Sequence, residues 1–176
     1  DLHYMLLVGE TDKKANRLLS DIQSQLQYNK RLINDYGERF KFGNWADGDF
    51  TTTDGVKFTA IGFGSSPRGA REGDKRPDYE VCDDIDNRRH VNNNRLMEDG
   101  INYITEDVWG CFDATDDSTE RFVYANNNFH KNSITNRLKT YFQIAQKNAR
   151  QDREKSIFHI VTVNAVKDLT SFTPEW

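Results

Sequence analysis

The sequence is short of cysteine, of basic excess and of long apolar runs, and each shortage narrows the field. Its two cysteines, Cys82 and Cys111, lie in apolar contexts without metal-ligand spacing. That argues against a disulfide scaffold and for two buried thiols in a reducing cytosol. Lys and Arg total 24 against 28 Asp and Glu, a net charge of −4. No global basic excess marks a nucleic-acid binder, although a local basic groove stays compatible with that balance. No apolar stretch approaches the ~18 residues of a transmembrane helix. Internal repeats and low-complexity segments are missing apart from two short Asn runs. The phosphate-cradling string G-x-x-x-x-G-K-[ST] is missing too: GFGSSPRGAREG has the glycines without the Lys.

What is there is an alternation of apolar runs and helical stripes in 176 residues, enough for one domain with a real core. HYMLLVG (3–9) predicts a strand covered on both faces. Thr11 or Asp12 can cap a helix with the stripe Ala15, Leu18, Leu19, Ile22 and Leu26, ending between Tyr28 and Asn34 before a turn at Gly37. FKFGNW (40–45) and GVKFTAIGFG (55–64), with Asp47-Gly48 and Asp54-Gly55 as turn signals, predict a β-hairpin insertion or a pair of edge strands near residues 39–64. SSPRGAREGDKRP (65–77) reads as a loop, and YEVC (79–82) as a short strand. Leu96, Met97, Ile101, Ile104, Val108 and Phe112 form a helical stripe over about 92–112. RFVYA (121–125) predicts another strand. Asn132 or Ser133 then caps a helix with the stripe Ile134, Leu138, Tyr141, Phe142 and Ala145, and SIFHIVTVNAV (156–166) closes with a strand. Strands alternating with amphipathic helices predict an α/β fold with a mostly parallel, helix-covered sheet in a single domain over 1–176. There is no initiator Met, YMLLVG is already a buried-strand pattern, and SFTPEW stops on a Trp; the expectation is a domain fragment of a longer polypeptide.

Ligands of open α/β sheets bind at the carboxyl ends of the strands. That rule singles out Gly9-Glu10-Thr11, Asp83-Asp84 and Asn126-Asn127-Asn128. The aspartates of RPDYEVCDDIDNRR (76–89) stand out, because an apolar strand ending in two carboxylates suits a nucleotide hydrolase. The first acid reaches Mg²⁺ and the second polarises the attacking water. The alternative is an acidic turn in which Asp84 and Asp86 begin a bend or cap the next helix. Arg68, Arg71, Lys75 and Arg76 can bind phosphate oxygens, since guanidinium groups do so bidentately and keep their charge; each arginine taken alone reads rather as a solvated loop residue, with Arg76 pairing to Asp78 or Asp74. The Asn triplet can bring a carboxamide to a γ-phosphate, or be a loop that exploits the tolerance of Asn for left-handed conformations. His130 has no second His at ligand spacing and reads as a structural or surface histidine before a base. Lys139, Lys147, Arg150 and Arg153 read as a charged helix end in solvent before a DNA-facing surface.

Together these segments resemble the ATPase domain of phage terminase large subunits, the DNA-packaging motors. YMLLVGETDKKANRLLSDIQSQLQYNKRLINDYG resembles the strand-helix unit that follows the P-loop. GFGSSPRGAREGDKRPDYEVCDDIDN resembles the Gly-Arg loop, Arg-Pro-Asp and the Walker B strand. RFVYANNNFHKNSITNRL resembles the coupling-motif strand with its helix, and FHIVTVNAVKD…PEW the stretch before the linker to a nuclease domain. The resemblance implies a P-loop NTPase fold, incomplete at the N-terminal side because the Walker A segment is missing. It implies Asp83 as the Walker B aspartate on Mg²⁺ and Asp84 at the catalytic carboxylate position, where many relatives carry Glu. Asn126 and Asn127 fall in the coupling motif, and Arg68 and Arg71 are candidates for an arginine contact to ATP. The implied ligands are ATP and Mg²⁺. The implied partners are double-stranded DNA, a portal protein, the small terminase subunit and further copies in a ring, in the host cytoplasm and with no membrane. The intact protein is expected to hydrolyse ATP and cut DNA, and this stretch alone to do neither well. Two other readings stand beside it: a metal-dependent nuclease using Asp83, Asp84 and Asp86, for which Glu10 is the one obvious further carboxylate and a poor fit, and a non-catalytic interaction domain.

Overall fold

The computed structural model describes residues 2–67, 75–112, 120–153 and 159–162. By internal contacts the chain divides into two units, Asp1–Thr135 and Asn136–Trp176. In the first, the elements run β1 (Tyr4–Gly9), α1 (Asp12–Tyr28), α2 (Lys30–Tyr36), β2 (Trp45–Ala46), β3 (Asp49–Thr51), β4 (Lys57–Gly62), β5 (Tyr79–Asp83), α3 (Arg88–Val91), α4 (Asn94–Asn102) and β6 (Arg121–Ala125). The last helix, α5 (Ile134–Gln151), begins in this unit with Ile134 and Thr135. The strands form one mixed sheet in the order β2-β3-β4-β1-β5-β6. β4, β1, β5 and β6 are mutually parallel, and β3 joins β4 antiparallel with β2 folded back on it. This is the α/β class that the alternating pattern predicts, with the hairpin at its outer edge.

All six residues of β1 are buried, as a strand central to a helix-covered parallel sheet must be. One face carries Met5, Leu7, Phe50 and Phe58, closed by Leu19 of α1, with Ile22, Leu26, Tyr79 and Val81 around them. Burying such side chains is worth roughly 1.5–3 kcal/mol each. The other face carries Leu6, Val8 and Cys82, all fully buried. There Trp109 stacks on Phe122 of β6 at 5.6 Å, and Tyr103 meets Phe63 edge-on at 4.9 Å.

Local chemistry sets the boundaries. Thr11 caps α1 by accepting from Lys14 N–H. Asn29 ends α1 and starts α2, donating its N–H to Gln25 O and accepting from Arg31 and Leu32 N–H. Of FKFGNW only Trp45 enters a strand; Gly43 has φ +83° and Phe42 is almost wholly exposed. The stripe over 92–112 is not one α-helix. It starts at Asn94, loosens into a π-helical stretch over Tyr103–Val108 and tightens into a 3₁₀ turn, Trp109–Cys111. Neither cysteine is in a disulfide and both are buried, and burial pushes the Cys82 thiol up, so it stays neutral.

In the second unit α5 continues from Asn136, and Lys139 Nζ donates to Thr162 Oγ1 at 3.0 Å. The strand expected at 156–166 falls largely outside the described residues; 159–162 carry no strand. Among the described residues no helix is long and apolar enough to cross a membrane.

Candidate active site at the carboxyl ends of β1 and β5

From β1 the chain passes through α1 to β4 on one side, then returns past β1 to β5 and on to β6 on the other. The connections therefore diverge between neighbouring strands β1 and β5. A divergence of this kind opens a crevice outside the strand ends. A cleft of about 280 Å³ lies there, lined by Gly9, Glu10, Lys14, Ala15, Arg17, Leu18, Asp21, Asp83 and Asp84.

Two glycines let the first turn of α1 rest on the strand ends. A Cβ on Gly9 would come within 2.9 Å of Ala15 N, and one on Gly62 within 2.5 Å of Asp12 N. Asp12 Oδ1 instead accepts from Gly62 N–H at 2.6 Å. This seating turns Lys14 and Arg17, three residues apart and opposite the buried Ala15–Leu19 stripe, into the wall of the cleft.

Asp83 ends β5, in register with Gly9 of β1 and Ala125 of β6. Burial first, and then the charge of Asp84, hold its carboxyl above the usual carboxylate range. A like-charged neighbour does this because the second ionisation must be made against the first. Asp84 follows with φ +47°, and its N–H donates to Ala125 O at 3.0 Å. No hydrogen bond or ion pair with another described side chain engages the Asp83 or Asp84 carboxylates or the Arg17 guanidinium. Lys14 pairs with Glu10 Oε2, and that bond and charge, with a further contribution from Asp84, raise its pKa. Glu10 Oε1 accepts from Asn87 Nδ2 at 3.4 Å.

Asp86 does not join the pair. Its side chain is fully buried, and Oδ2 accepts from Thr135 N–H and Thr135 Oγ1, both at 3.0 Å. Burial pushes its carboxyl up, but His90 and the Thr135 bonds outweigh that and leave it below the usual range. His90 Nδ1 lies 3.7 Å from Asp86 Oδ1, too far for a hydrogen bond, so that contact is electrostatic. Among the described residues no group of three or more His, Cys, Asp or Glu side chains is arranged to hold a metal.

The remaining expected residues fall as follows. Asn126 lies at the carboxyl end of β6, both ends of its carboxamide engaged: Oδ1 accepts from Asp86 N–H, and Nδ2 donates to Asn127 O and Thr135 Oγ1. Asn127 is exposed beside it. Arg68 and Arg71 lie outside the described residues. Lys14 and Arg17 were not singled out by motif. The signal that could have found them is a cationic i, i+3 pair one turn after an apolar strand that ends in Gly.

No protein-family model matches the chain, and no curated protein sequence does. The fold and the cleft define it as an α/β protein with an open, mostly parallel sheet and a charged crevice at its topological switch point.

Proposed function

We propose that this chain is part of a nucleotide-hydrolysing module of P-loop NTPase type in a terminase-like DNA-packaging motor. The observation that carries the reading is the position of Asp83 and Asp84, two carboxylates that no other described side chain hydrogen-bonds or ion-pairs, at the end of β5, beside β1 where the connections diverge. Their mutual repulsion and the raised Asp83 carboxyl are what a bound cation relieves, so the donor set fits Mg²⁺. When bound, Mg²⁺ would neutralise charge on the phosphates of ATP. Asp83 would hold the cation with Asp84 beside it, Asp84 would polarise the attacking water, and Lys14 and Arg17 would offer positive charge to phosphate oxygens from the α1 wall. The Walker A cradle, the arginine contacts of Arg68 and Arg71, and a downstream nuclease complete the site and the enzyme in the intact protein. Double-stranded DNA, a portal protein, a small subunit and further copies in a ring are its partners, in the host cytoplasm.

The test is Asp83→Ala in the intact protein, expected to abolish ATP turnover while far-ultraviolet circular dichroism stays that of the parent. Retained turnover sinks the reading. An upstream reading frame without G-x-x-x-x-G-K-[ST] sinks it as well.

A further inference from the structure

The turn that follows Asp84 is tied to β6 and to the start of α5 by a set of hydrogen bonds. Asp86 N–H donates to Asn126 Oδ1 at 3.1 Å, and Asp86 Oδ2 takes both bonds from Thr135. Thr135 Oγ1 also receives Asn126 Nδ2 at 3.0 Å and stands 3.1 Å from Tyr124 OH. A hydroxyl has one proton and two lone pairs. By donating to Asp86 and accepting from Asn126 and Tyr124, Thr135 fills its complement. The Asp86 carboxylate thereby meets a backbone N–H at the start of α5 from 49 residues away, a tertiary version of an N-cap.

The residue between this brace and the strand is strained. Asp84 sits at φ +47°, a conformation costing about 1–3 kcal/mol that persists only where the surroundings over-determine it. They do so here: the N–H of Asp84 is held by Ala125 O, Ile85 is fully buried, and Asp86 is fastened to β6 and α5.

We propose that Asp86 and Thr135 are positioning residues: their brace holds Asp84 in its left-handed conformation, with its carboxylate beside Asp83 at the cleft, and so sets the affinity of that pair for a divalent cation. The proposal rests on the reading of Asp83 and Asp84 as the cation site. Asp86 acts through Asp84 and touches no ligand. Asn126 serves the same brace, and its carboxamide is spent there.

The experiment is a Mn²⁺ titration of the 176-residue chain, followed by water-proton relaxation. Thr135→Val and Asp86→Asn are each expected to weaken binding about tenfold, as loss of outer-shell partners does. The double variant should also lose about tenfold, because one brace is broken only once. Thr135→Ser, which keeps the hydroxyl, should bind within about twofold of the parent. The three-bond HN–Hα coupling of Asp84 reports its φ and should change in Thr135→Val and Asp86→Asn. Parent-like affinity and coupling in both variants overturn the brace. Loss of binding in Asp86→Asn with none in Thr135→Val overturns it too, since Asp86 would then be a ligand itself. Asp83→Ala separates the two ideas. If it abolishes binding while the brace variants bind normally, only the brace falls; if it binds like the parent, the cation site and the brace fall together. Should Thr135→Val not fold, the parent suffices, because coupling is reciprocal. Saturating Mg²⁺ should slow exchange of the Thr135 amide by about fivefold or more, and unchanged exchange overturns the proposal.

Discussion

Tyr4 and Asp78 clasp each other across the amino ends of β1 and β5: Tyr4 N–H donates to Asp78 Oδ1 at 2.8 Å, and Asp78 N–H donates to Tyr4 O at 3.0 Å. His3 adds its own N–H and its Nδ1, each within 3.1 Å of the same carboxylate. Asp78 therefore binds the start of β1, where a pairing with Arg76 was one expectation. It stands at the opposite end of β5 from Asp83.

Removing that carboxylate leaves the buried Tyr4 N–H and the part-buried His3 N–H without this acceptor, at a cost of about 1–3 kcal/mol for a buried group. Asp78→Ala is expected to lower unfolding stability by ~3 kcal/mol and Asp78→Asn by less, since the amide oxygen still accepts. Urea unfolding measures both. Mn²⁺ affinity should be untouched under native conditions; an Asp78→Ala variant that keeps its stability and loses the cation contradicts this assignment.

Glu80 gives the chain a pH dependence opposite to that of most carboxylates. It is fully buried on β5, and neither carboxylate oxygen has a hydrogen-bond partner among the described residues. Burial, and then the charge of Glu120, push it up to about 9 from an ordinary 4.5. The folded state holds the proton more tightly than the unfolded chain. Its contribution is therefore full below pH 4.5, declines as pH rises towards about 9, and then levels off. Each pH unit in that window removes about 1.4 kcal/mol. Glu80→Leu, similar in volume and without the charge, should be more stable than the parent by about 3 kcal/mol at pH 7 and should flatten the curve between pH 5 and 8. An unchanged slope in urea melts across that range refutes the assignment.

Gly9 is a second point where one atom decides the packing. An added Cβ would press on backbone, Ala15 N at 2.9 Å, so no side-chain rotation relieves it. Gly9→Ala is expected to cost about 2 kcal/mol, read in the thermal midpoint. Because α1 must lift from the strand end that carries Lys14 and Arg17 to the cleft, phosphate affinity should fall with it. A Gly9→Ala variant with parent stability removes the argument that this close approach shapes the cleft.

How much of this was legible in the sequence follows from the range of each interaction. YMLLVG announces a buried central strand because every position is apolar, and Thr11 announces α1 because a cap acts over three residues. The place of Asp83 and Asp84 at a strand end is legible because an apolar run ends on them. The inserted turn of π-helix was not legible: Leu96 to Phe112 keep an apolar rhythm, yet the wider turn shifts its phase, and Leu96 is exposed while Met97 and Ile104 are buried. Nor could the role of Asp86 be read, since its partner Thr135 is brought near only by the pairing of β5 with β6. Lys14 and Arg17 look like any solvated helix face until the order of β4, β1 and β5 places that face at the switch point.

Asp84 is the residue where stability and function should part company. Its φ of +47° costs an L-residue roughly 1–2 kcal/mol, and glycine adopts it freely. Asp84 is also one of the two causes, after burial, of the raised Asp83 carboxyl. Asp84→Gly removes the backbone strain and the like-charge repulsion together, so the variant should be more stable than the parent by about 1 kcal/mol. The Asp83 carboxyl should move down towards its ordinary range, still held above it by burial, in a carbon-detected NMR titration. Cation affinity should fall, because one of the two carboxylates is gone, and ATP turnover in the intact protein should stop. A destabilised Asp84→Gly chain would mean that the carboxylate, and not the cleft chemistry, keeps aspartate at this left-handed position.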